Sequence, residues 1–453
     1  MTGPARATRR ISVRDRTWAP FRTVYAFGRL RLPSPDDVRD LLLRLAEVEP
    51  QHPLLCVLEP TSAGPRLRSQ AVSGAAVLAA HLDRVLAVTD ETDPAALCDR
   101  LQADPVHDLA VALVLGLDPA SDPASDPASD PASDPASDPA EREGCLAGSI
   151  AHAVGDGATK NRWLLGIAQL DLDLLRTPEQ PRLPLVQAAW RTWGRRPQHA
   201  VAAVRAALPL GPGTEPTSEP RVPGPVGAPV TRSVLLPQAV VDAVRAERDR
   251  TGTSASVAAL LMARTAAALA AEGISSAGCK VMADCRGSLG GAPVSGNFAT
   301  GPWLDVDPTD AAALGAALKR VTAAGVPLVL LGAVTVRTGL RAALGRVGVV
   351  DVVGLPGEGR AARVDGPVPQ RLTLSYQGRT GFERLPWTEP TEARAVIAAE
   401  PDGPGGVTVA FAAGPAGLEV DASFYPTVTD PGAVERALAA VAASGAPAEG
   451  IAV

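Results

Sequence analysis

The chain has 453 residues, a length that predicts two lobes of roughly 200 residues each. Hydrophobic residues make up 46% of the sequence and aromatic residues only 3%, so large cores must be built mainly from Ala, Val and Leu. The net charge of −6 comes from six aspartates of one repetitive tract, and the remaining acids and bases are equal in number. This balance argues against a nucleic-acid-binding protein.

The five cysteines are widely spread and form no CxxC pair. The N-terminus lacks the apolar segment of a secretory signal. We therefore expect reduced thiols and a cytoplasmic protein. The longest apolar run, at 323–336, is shorter than the ~20 residues that span a bilayer, so we expect it in a core and expect no membrane association. No His, Cys or Asp spacing resembles a metal site.

Periodicity predicts mixed α and β structure from the beginning of the chain. A helix is predicted from Pro35, with apolar residues at positions 38, 41, 42 and 45. A strand is expected at 54–58, and two buried strands are expected at 108–118 and 145–154. A helix with an apolar stripe at Trp163, Leu164, Ile167 and Leu170 follows, and another is centred on LVQAAWRTW.

Residues 118–140 repeat the four-residue unit DPAS. A proline at every fourth position prevents both a helix and a paired strand, so we interpret the tract as a solvated excursion at a hairpin tip.

The Pro- and Gly-rich segment 209–229 is the strongest linker signal outside that tract. It divides the chain into lobes at 1–208 and 230–453. The second lobe opens with a strand at TRSVLLP, a helix at 237–250 and a long helix at 253–272. Further strands are predicted at CKVMADCRG, SGNFATGPWLDVD, VVDVVGLPGEG, RLTLSYQG and VTVAFAAGPAGLEVDASF, before a closing helix at DPGAVERALAAVAAS.

The stretch SIAHAVGDGAT, at 149–159, contains the best candidate for a general base, His152, because an imidazole titrates near neutral pH. If His152 is the base, the rate should rise with pH through an apparent pKa of about 6 to 7. The same stretch fits a strand followed by a tight turn at Gly155 and Gly157, with Asp156 or the following threonine capping a helix. Residue types alone leave both interpretations open.

Other candidates are weaker on chemical grounds. His52, His81, His107 and His199 lie in a Pro-flanked turn, on helical patterns or before a strand, and none is followed by a Gly-Asp-Gly turn. The GEGRAA stretch at 357 is preceded by a proline and is not followed by a helix, so it is not a dinucleotide-binding loop. Cys285 is expected to be a small core residue.

Several stretches resemble one family of acyltransferases. AHAVGDG resembles the HHxxxDG motif of nonribosomal-peptide condensation domains and the shorter HxxxD motif of plant acyltransferases and chloramphenicol acetyltransferase. QHPLLCVL resembles the early hPxLr strand of that family, and ADCRG with SGNFATGPWLDVD resembles its R…GNF strand and turn. LPGEG and LSYQG are similar to late elements of its wax-synthase and polyketide-associated branches. The resemblance covers most of the chain, loosely outside the motif.

The resemblance implies an α/β fold of two chloramphenicol acetyltransferase-like lobes, each a mixed sheet with flanking helices, and an active site at their interface. It implies that His152 is catalytic, that Asp156 turns away from the substrate to hold the motif, and that the Gly157 amide helps to stabilise an oxyanion. Arg286 matches the arginine that pairs with Asp156. Ala151 stands where most members carry a first, mainly structural histidine.

The implied activity is a free-standing acyl transfer in specialised metabolism. The donor would be a thioester of coenzyme A or of an acyl or peptidyl carrier protein, the acceptor a small alcohol or amine, and no bound cofactor or metal is expected. A non-catalytic scaffold or carrier-docking module is the alternative that the missing first histidine leaves open, and a thioester hydrolase is a third interpretation.

Overall fold

The computed structural model describes residues 7–19, 21–61, 64–106, 108–118, 142–207, 226–345, 368 and 370–443. The DPAS tract beyond residue 118, most of the 209–229 linker, His107 and the VVDVVGLPGEG strand lie outside the described residues.

The first half of the chain contains seven strands and seven helices among its described residues. In chain order they are β1 (Thr8–Arg10), β2 (Arg22–Leu32), α1 (Pro35–Val48), β3 (Cys56–Glu59), β4 (Arg66–Ser69), α2 (Ala75–Val85), β5 (Leu86–Thr89), α3 (Pro94–Ala103), β6 (Val111–Leu117), β7 (Arg142–Ala151), α4 (Gly157–Ala168), α5 (Leu172–Leu175), α6 (Pro184–Trp193) and α7 (Pro197–Ala207).

The described residues of the second half supply nine more strands and five more helices. They are β8 (Val230–Pro237), α8 (Gln238–Thr251), α9 (Val257–Ala271), β9 (Cys279–Val281), β10 (Ala283–Asp284), β11 (Ala299–Thr300), β12 (Trp303–Leu304), α10 (Ala311–Ala323), α11 (Val326–Gly345), β13 (Arg371–Arg379), β14 (Arg394–Ala399), β15 (Gly406–Gly414), β16 (Gly417–Phe424) and α12 (Pro431–Ala443). The predicted mixed α/β architecture is confirmed.

The first large sheet has the strand order β14-β2-β7-β6-β5. Its pairs are antiparallel except for β5 with β6. The edge strand β14 comes from the second half of the chain and pairs with β2. Phe382 and Trp387, which precede β14, also pack in the first core. The chain therefore crosses between its two halves near the end, a feature that the predicted division into 1–208 and 230–453 does not include.

The second large sheet has the order β12-β9-β13-β15-β16-β8. Its central strand β13 runs parallel to both neighbours, β9 and β15. Leu374 of β13 and Phe411 of β15 are fully buried in a second core, against helices α8, α9, α10 and α12. Each large sheet thus has its own core, and the two sheets are linked through β14.

Helix α1 illustrates how local sequence signals produce the predicted elements. Ser34 accepts a hydrogen bond from the Asp37 N–H, and Asp37 bonds back to the backbone of Ser34, which completes a capping box behind Pro35. The predicted apolar positions Val38, Leu41, Leu42 and Leu45 are completely buried.

Two predicted elements end earlier than the sequence suggested. The strand expected to reach 154 ends at Ala151, because His152–Val154 form a 3₁₀ turn. Helix α4 ends at Ala168, because Leu170 takes a left-handed backbone conformation with φ of 52°. Leu170 is therefore not part of the helical stripe.

Helix α11 is longer than the apolar run predicted at 323–336, since it continues to Gly345. Among the described residues, its segment Val326–Ala343 alone is long and apolar enough to cross a membrane by length and composition. Val326, Leu328 and Leu331 of this segment pack in cores of the protein. All five cysteines are buried and unpaired.

Candidate functional site

The backbone fixes His152 at the point where β7 ends. The His152 N–H donates a hydrogen bond to the Phe21 carbonyl at 2.8 Å. The His152 carbonyl accepts one from the Asn297 side-chain amide at 2.6 Å. Asn297 also donates its backbone N–H to Asp15 at 2.7 Å. The GNF stretch of the second half and the segment before β2 therefore hold the histidine turn from both sides.

The His152 ring stacks on Trp18, with ring centroids 4.5 Å apart and planes inclined by 20°. One face of the imidazole is therefore covered by indole. Because aromatic residues are only 3% of the sequence, the concentration of Trp18, Phe21 and Tyr25 within eight residues was a signal for this site. Sequence reasoning had not used it.

Asp156 is held in a bidentate ion pair with Arg286, at 2.7 and 2.8 Å. Its side chain is 6% exposed and that of Arg286 is 15% exposed, so the pair is shielded from water. Asp156 also accepts the Phe298 N–H at 3.0 Å and caps α4 through the Thr159 N–H. Burial alone would raise the pKa of Asp156, but its bonds with Arg286 and Phe298 hold that pKa below its ordinary value. The carboxylate is thus ionised and fully occupied.

The His152 imidazole is neutral at pH 7. Burial, followed by the positive charge of Lys160, lowers its pKa from 6.5 to about 3, against the opposing charge of Asp156. The residue is half-buried, and one edge of the ring faces a cavity. Its Nδ1 is buried and makes no hydrogen bond of good geometry, although its own carbonyl and Asn297 lie near the ring. We therefore expect any increase of rate with pH that depends on His152 at a lower pH than the 6 to 7 predicted for an ordinary histidine.

Lys160, one helical turn after Asp156, is completely buried, and its Nζ donates to the Thr23 hydroxyl at 2.8 Å. Burial lowers the pKa of Lys160 to about 7, because the nearby Asp156 charge offsets only part of the desolvation cost. A buried lysine beside the histidine was not singled out from the sequence, although AHAVGDGATK contains it.

The two glycines of the motif have different roles, and neither lies in the left-handed region of φ, since Gly155 is extended with φ of 175°. A Cβ on Gly155 would lie 2.8 Å from side-chain carbons of Thr159. Glycine avoids this clash because it has no side chain. A Cβ on Gly157 would meet only Tyr25 Oη and Gln377 Oε1, each at 3.4 Å. Gly157 is the first residue of α4, where a backbone N–H has no partner within the helix and lies at the positive end of the helix dipole.

A cavity of about 650 Å³ lies between the two large sheets. From the first half it is lined by residues of β2 and α4, by His152 of the 3₁₀ turn, and by Asp156 and Gly157 at the start of α4. From the second half it is lined by residues of β13, β14 and β15 and by Arg286. The structure therefore brings all four predicted site residues to one cavity at the interface of the lobes.

A second cavity, of about 620 Å³, lies on the other side of the histidine turn and is lined by Ala153 and Val154. Arg9, Arg10 and Arg182 also line it and are exposed. This side of the turn is therefore positively charged, a feature that sequence reasoning did not identify.

The histidines that were set aside lie away from the cavity where they are described. His52 is buried, accepts the Leu54 N–H and packs edge-on against Trp163. His81 is buried on α2, and His199 is exposed on α7. Within the described ranges, no cluster of three or more His, Cys, Asp or Glu could hold a metal ion.

Ala151, at the position of the family's first histidine, is fully buried at the end of β7. It pairs with Arg22, whose guanidinium donates to the Ser149 hydroxyl, the Ser149 carbonyl and the Leu109 carbonyl. A small residue therefore packs in the first core at this position.

Three solved structures illustrate what the fold resembles. The TRI3 trichothecene 15-O-acetyltransferase of Fusarium sporotrichioides aligns with a TM-score of 0.57 and 10% identity, over 96% of this chain and 94% of that one. The condensation domain of the monacolin K polyketide synthase MokA gives 0.52 and 14%, over 94% and 91%. The SgcC5 protein of Streptomyces globisporus gives 0.51 and 13%, over 94% and 93%.

The chain has the two-lobed fold of the condensation-type acyltransferases. The fold predicted from the HxxxDG resemblance is therefore confirmed. No protein-family model matches the sequence, and comparison with curated proteins gives no match. At 10–14% identity these structures establish the fold alone.

Proposed function

We propose that this protein is an acyltransferase that joins an acyl thioester to an alcohol or amine. The observation that carries this proposal is the His152 imidazole, which opens on the 650 Å³ cavity from a turn fixed by the Asp156–Arg286 pair and by Asn297. A neutral imidazole in a braced turn can accept or orient a proton of an attacking nucleophile.

In the proposed reaction, the acceptor oxygen or nitrogen attacks the thioester carbonyl and loses its proton to His152. The carbonyl oxygen becomes an oxyanion, which the Gly157 N–H at the start of α4 would stabilise. When the oxyanion collapses, the C–S bond breaks and His152 returns the proton to the departing thiolate. The products are an ester or amide and a free thiol.

The low pKa of His152 makes it a weak base in the free protein. Orientation of the nucleophile is therefore the more important part of its proposed role. A weak base still assists if it holds the acceptor hydroxyl in line with the carbonyl, because the proton then leaves only as the C–O bond forms. Asp156 would not take the proton, since Arg286 and Phe298 occupy its oxygens.

The donor would be a thioester of coenzyme A or of a carrier protein's phosphopantetheine arm. The exposed arginines of the second cavity support this choice, because guanidinium groups suit phosphate recognition. No bound cofactor or metal is required by the proposed steps. A carrier-protein partner, a cytoplasmic location and a role in specialised metabolism belong to the same proposal. The similarity to a trichothecene acetyltransferase and to a polyketide synthase condensation domain is consistent with it.

The decisive experiment compares His152→Ala with His199→Ala, a substitution of an exposed histidine on α7. We expect the first to fold, to bind the donor, and to lose about 10²-fold or more in transfer rate, and the second to retain it. Acyl transfer would be measured from acetyl-CoA or S-acetyl-N-acetylcysteamine to a panel of alcohols and amines, with product identified by mass spectrometry. Equal rates for both variants would favour the alternative that the protein is a non-catalytic scaffold.

The donor assignment has its own test. Arg9→Ala with Arg10→Ala should raise KM for acetyl-CoA, whose phosphates they would contact, and leave KM for the phosphate-free N-acetylcysteamine thioester nearly constant. The difference should shrink at high salt. A product that is only the free acid, whatever acceptor is supplied, would favour a thioester hydrolase.

A further inference from the structure

We propose that one wall of the active-site cavity is a neutral hydrogen-bonding subsite that selects a substrate carrying hydroxyl or amide groups beside its reacting centre. This polar wall consists of Asn161, Thr373, Gln377 and Thr380, all of which line the cavity. The inference rests on the proposed acyl transfer and adds a substrate class to it.

Each residue of the polar wall has a buried side-chain oxygen without a hydrogen-bond partner among the described residues. These atoms are Asn161 Oδ1, Thr373 Oγ1, Gln377 Oε1 and Thr380 Oγ1. Asn161 is 8% exposed and Thr373 is 7% exposed, so both are more than nine-tenths buried. A buried polar atom that stays unpaired costs about 1–3 kcal/mol. A ligand that supplies partners to this wall would recover that cost.

The alternation of β13 explains how a strand of the second sheet presents polar groups to the cavity. Thr373, Ser375 and Gln377 line the cavity at every second position, and Leu374 packs in the second core. Tyr376 also lines the cavity, next to the register shift of β13 between Tyr376 and Gly378. Thr408 of β15, which pairs with Thr373, lines the cavity as well. The polarity therefore continues across two neighbouring strands.

The chemistry of the polar wall fits uncharged groups. It contains only hydroxyl and amide side chains. Among the charged residues that line the same cavity, Asp156 and Asp284 pair with Arg286, and Lys280 pairs with Asp402. Arg22 donates to Ser149 and Leu109, and Glu400 is the remaining charged residue of the lining. Amide oxygens accept hydrogen bonds and threonine hydroxyls both donate and accept them. Ligand hydroxyls satisfy both types, whereas an alkyl chain would leave every one of them unpaired.

The polar wall lies beside the proposed oxyanion site. Gln377 Oε1 is 3.4 Å from the position that a Cβ on Gly157 would take. The Tyr25 hydroxyl lies 3.4 Å from the same position. Asn161 follows Gly157 by one helical turn, which places it on the same face of α4. The recognised groups therefore lie within a few bonds of the reacting carbonyl or of the attacking hydroxyl.

Matched substrates can distinguish these two sources of the hydroxyl group. In one arm the acceptor is 1-hexanol or 1,2-hexanediol, with S-hexanoyl-N-acetylcysteamine as the donor. In the other arm the acceptor is 1-hexanol, and the donor carries hexanoyl or 3-hydroxyhexanoyl. The measured quantity is the ratio of kcat/KM for the hydroxylated substrate to that for its plain analogue, in the unmodified protein and in Thr373→Val and Gln377→Met.

The expected result is a fall of about 5- to 10-fold in that ratio for each variant, in the arm that contains the natural source of the hydroxyl. Thr265→Val is the matched control, since Thr265 is buried in α9 and donates to the Leu261 carbonyl away from the cavity. It should leave the ratio at its original value. Ratios that stay constant for both folded polar-wall variants, in both arms, would overturn the inference.

A binding measurement separates this inference from the proposed function. If the unmodified protein transfers no acyl group, ligand-observed NMR with 1,2-hexanediol and 1-hexanol tests the wall directly. Preferential binding of the diol that is lost in Thr373→Val supports the subsite without catalysis, and equal binding of both alcohols overturns it. Should Thr373→Val fail to fold, Gln377→Met decides by the same criteria.

Discussion

Asn297 donates a hydrogen bond from its side-chain amide to the main-chain carbonyl of His152, across 145 positions of sequence. The same amide reaches Asp15, and Gly296 precedes it with φ of 84°. A Cβ at position 296 would lie 2.7 Å from Asp15 Oδ2. The GNF stretch therefore acts as a clamp that fixes the histidine turn from the second half of the chain.

Replacement of Asn297 by Leu should release this clamp. The variant loses the bonds to His152 and Asp15 while nearly conserving volume, so we expect a loss of roughly 1–3 kcal/mol in the free energy of unfolding. Acyl transfer should fall about 10-fold or more, because the imidazole is no longer held. Denaturant unfolding and kcat measure the two effects. A stable, fully active variant would show that the clamp does not position His152.

The Asp156–Arg286 pair should behave as one unit. Removal of Arg286 leaves the buried Asp156 carboxylate without a cation, and removal of Asp156 leaves Arg286 with only the exposed Asp284 carboxylate at 3.3 Å. Arg286→Ala and Asp156→Ala should therefore each cost about 3 kcal/mol or more. The double variant should cost less than the sum of the two. A double-mutant cycle by urea unfolding measures the coupling, and additive losses would contradict it.

The sequence predicted this pair through a motif resemblance, because the two partners are 130 positions apart and no local pattern joins them. The helices and most strands followed from periodicity and capping, as in α1. The crossover strand β14 did not, since its pairing with β2 is a tertiary contact between residues far apart in the chain. Trp18, Asn297 and Lys160 were missed for the same reason: their roles depend on which neighbours the fold supplies.

The rate should not show the increase with pH near 6.5 that titration of an ordinary histidine produces. Since burial lowers the pKa of His152 to about 3, the ring is already neutral above pH 6, and kcat/KM should be flat from about pH 6 to 8. The folded state binds fewer protons than the unfolded state between pH 3 and 6.5, so stability should fall as pH falls through that window. NMR titration of the His152 ring checks the assignment. A rate limb near 6.5 that disappears in His152→Ala would refute it.

Lys160 should make stability depend on pH in the alkaline range. Its pKa is about 7 in the folded state and 10.5 ordinarily, so burial destabilises the fold below pH 7 and this effect fades as pH rises to 10.5. Lys160→Met should therefore be more stable than the unmodified protein at pH 6, with a difference that shrinks by pH 10. Lys319→Met, at an exposed position of α10, should show no such trend. Urea midpoints at several pH values test both, and parallel curves for the two variants would contradict the burial effect.

The two motif glycines offer a matched comparison of packing and catalysis. Gly155→Ala places a methyl group 2.8 Å from Thr159 carbons, so we expect a loss of about 1–3 kcal/mol in the free energy of unfolding from overpacking.

Gly157→Ala meets its neighbours at 3.4 Å and requires no positive φ, so it should fold with nearly unchanged stability. Its methyl group nevertheless enters the cavity between Tyr25 and Gln377, where the oxyanion is proposed to form, and should lower kcat about 10-fold or more. Thermal melts measure the loss of stability in Gly155→Ala, and single-turnover rates measure the loss of activity in Gly157→Ala. A stable and fully active Gly157→Ala protein would exclude position 157 from the reacting centre, because a methyl group could not share that space with the substrate carbonyl.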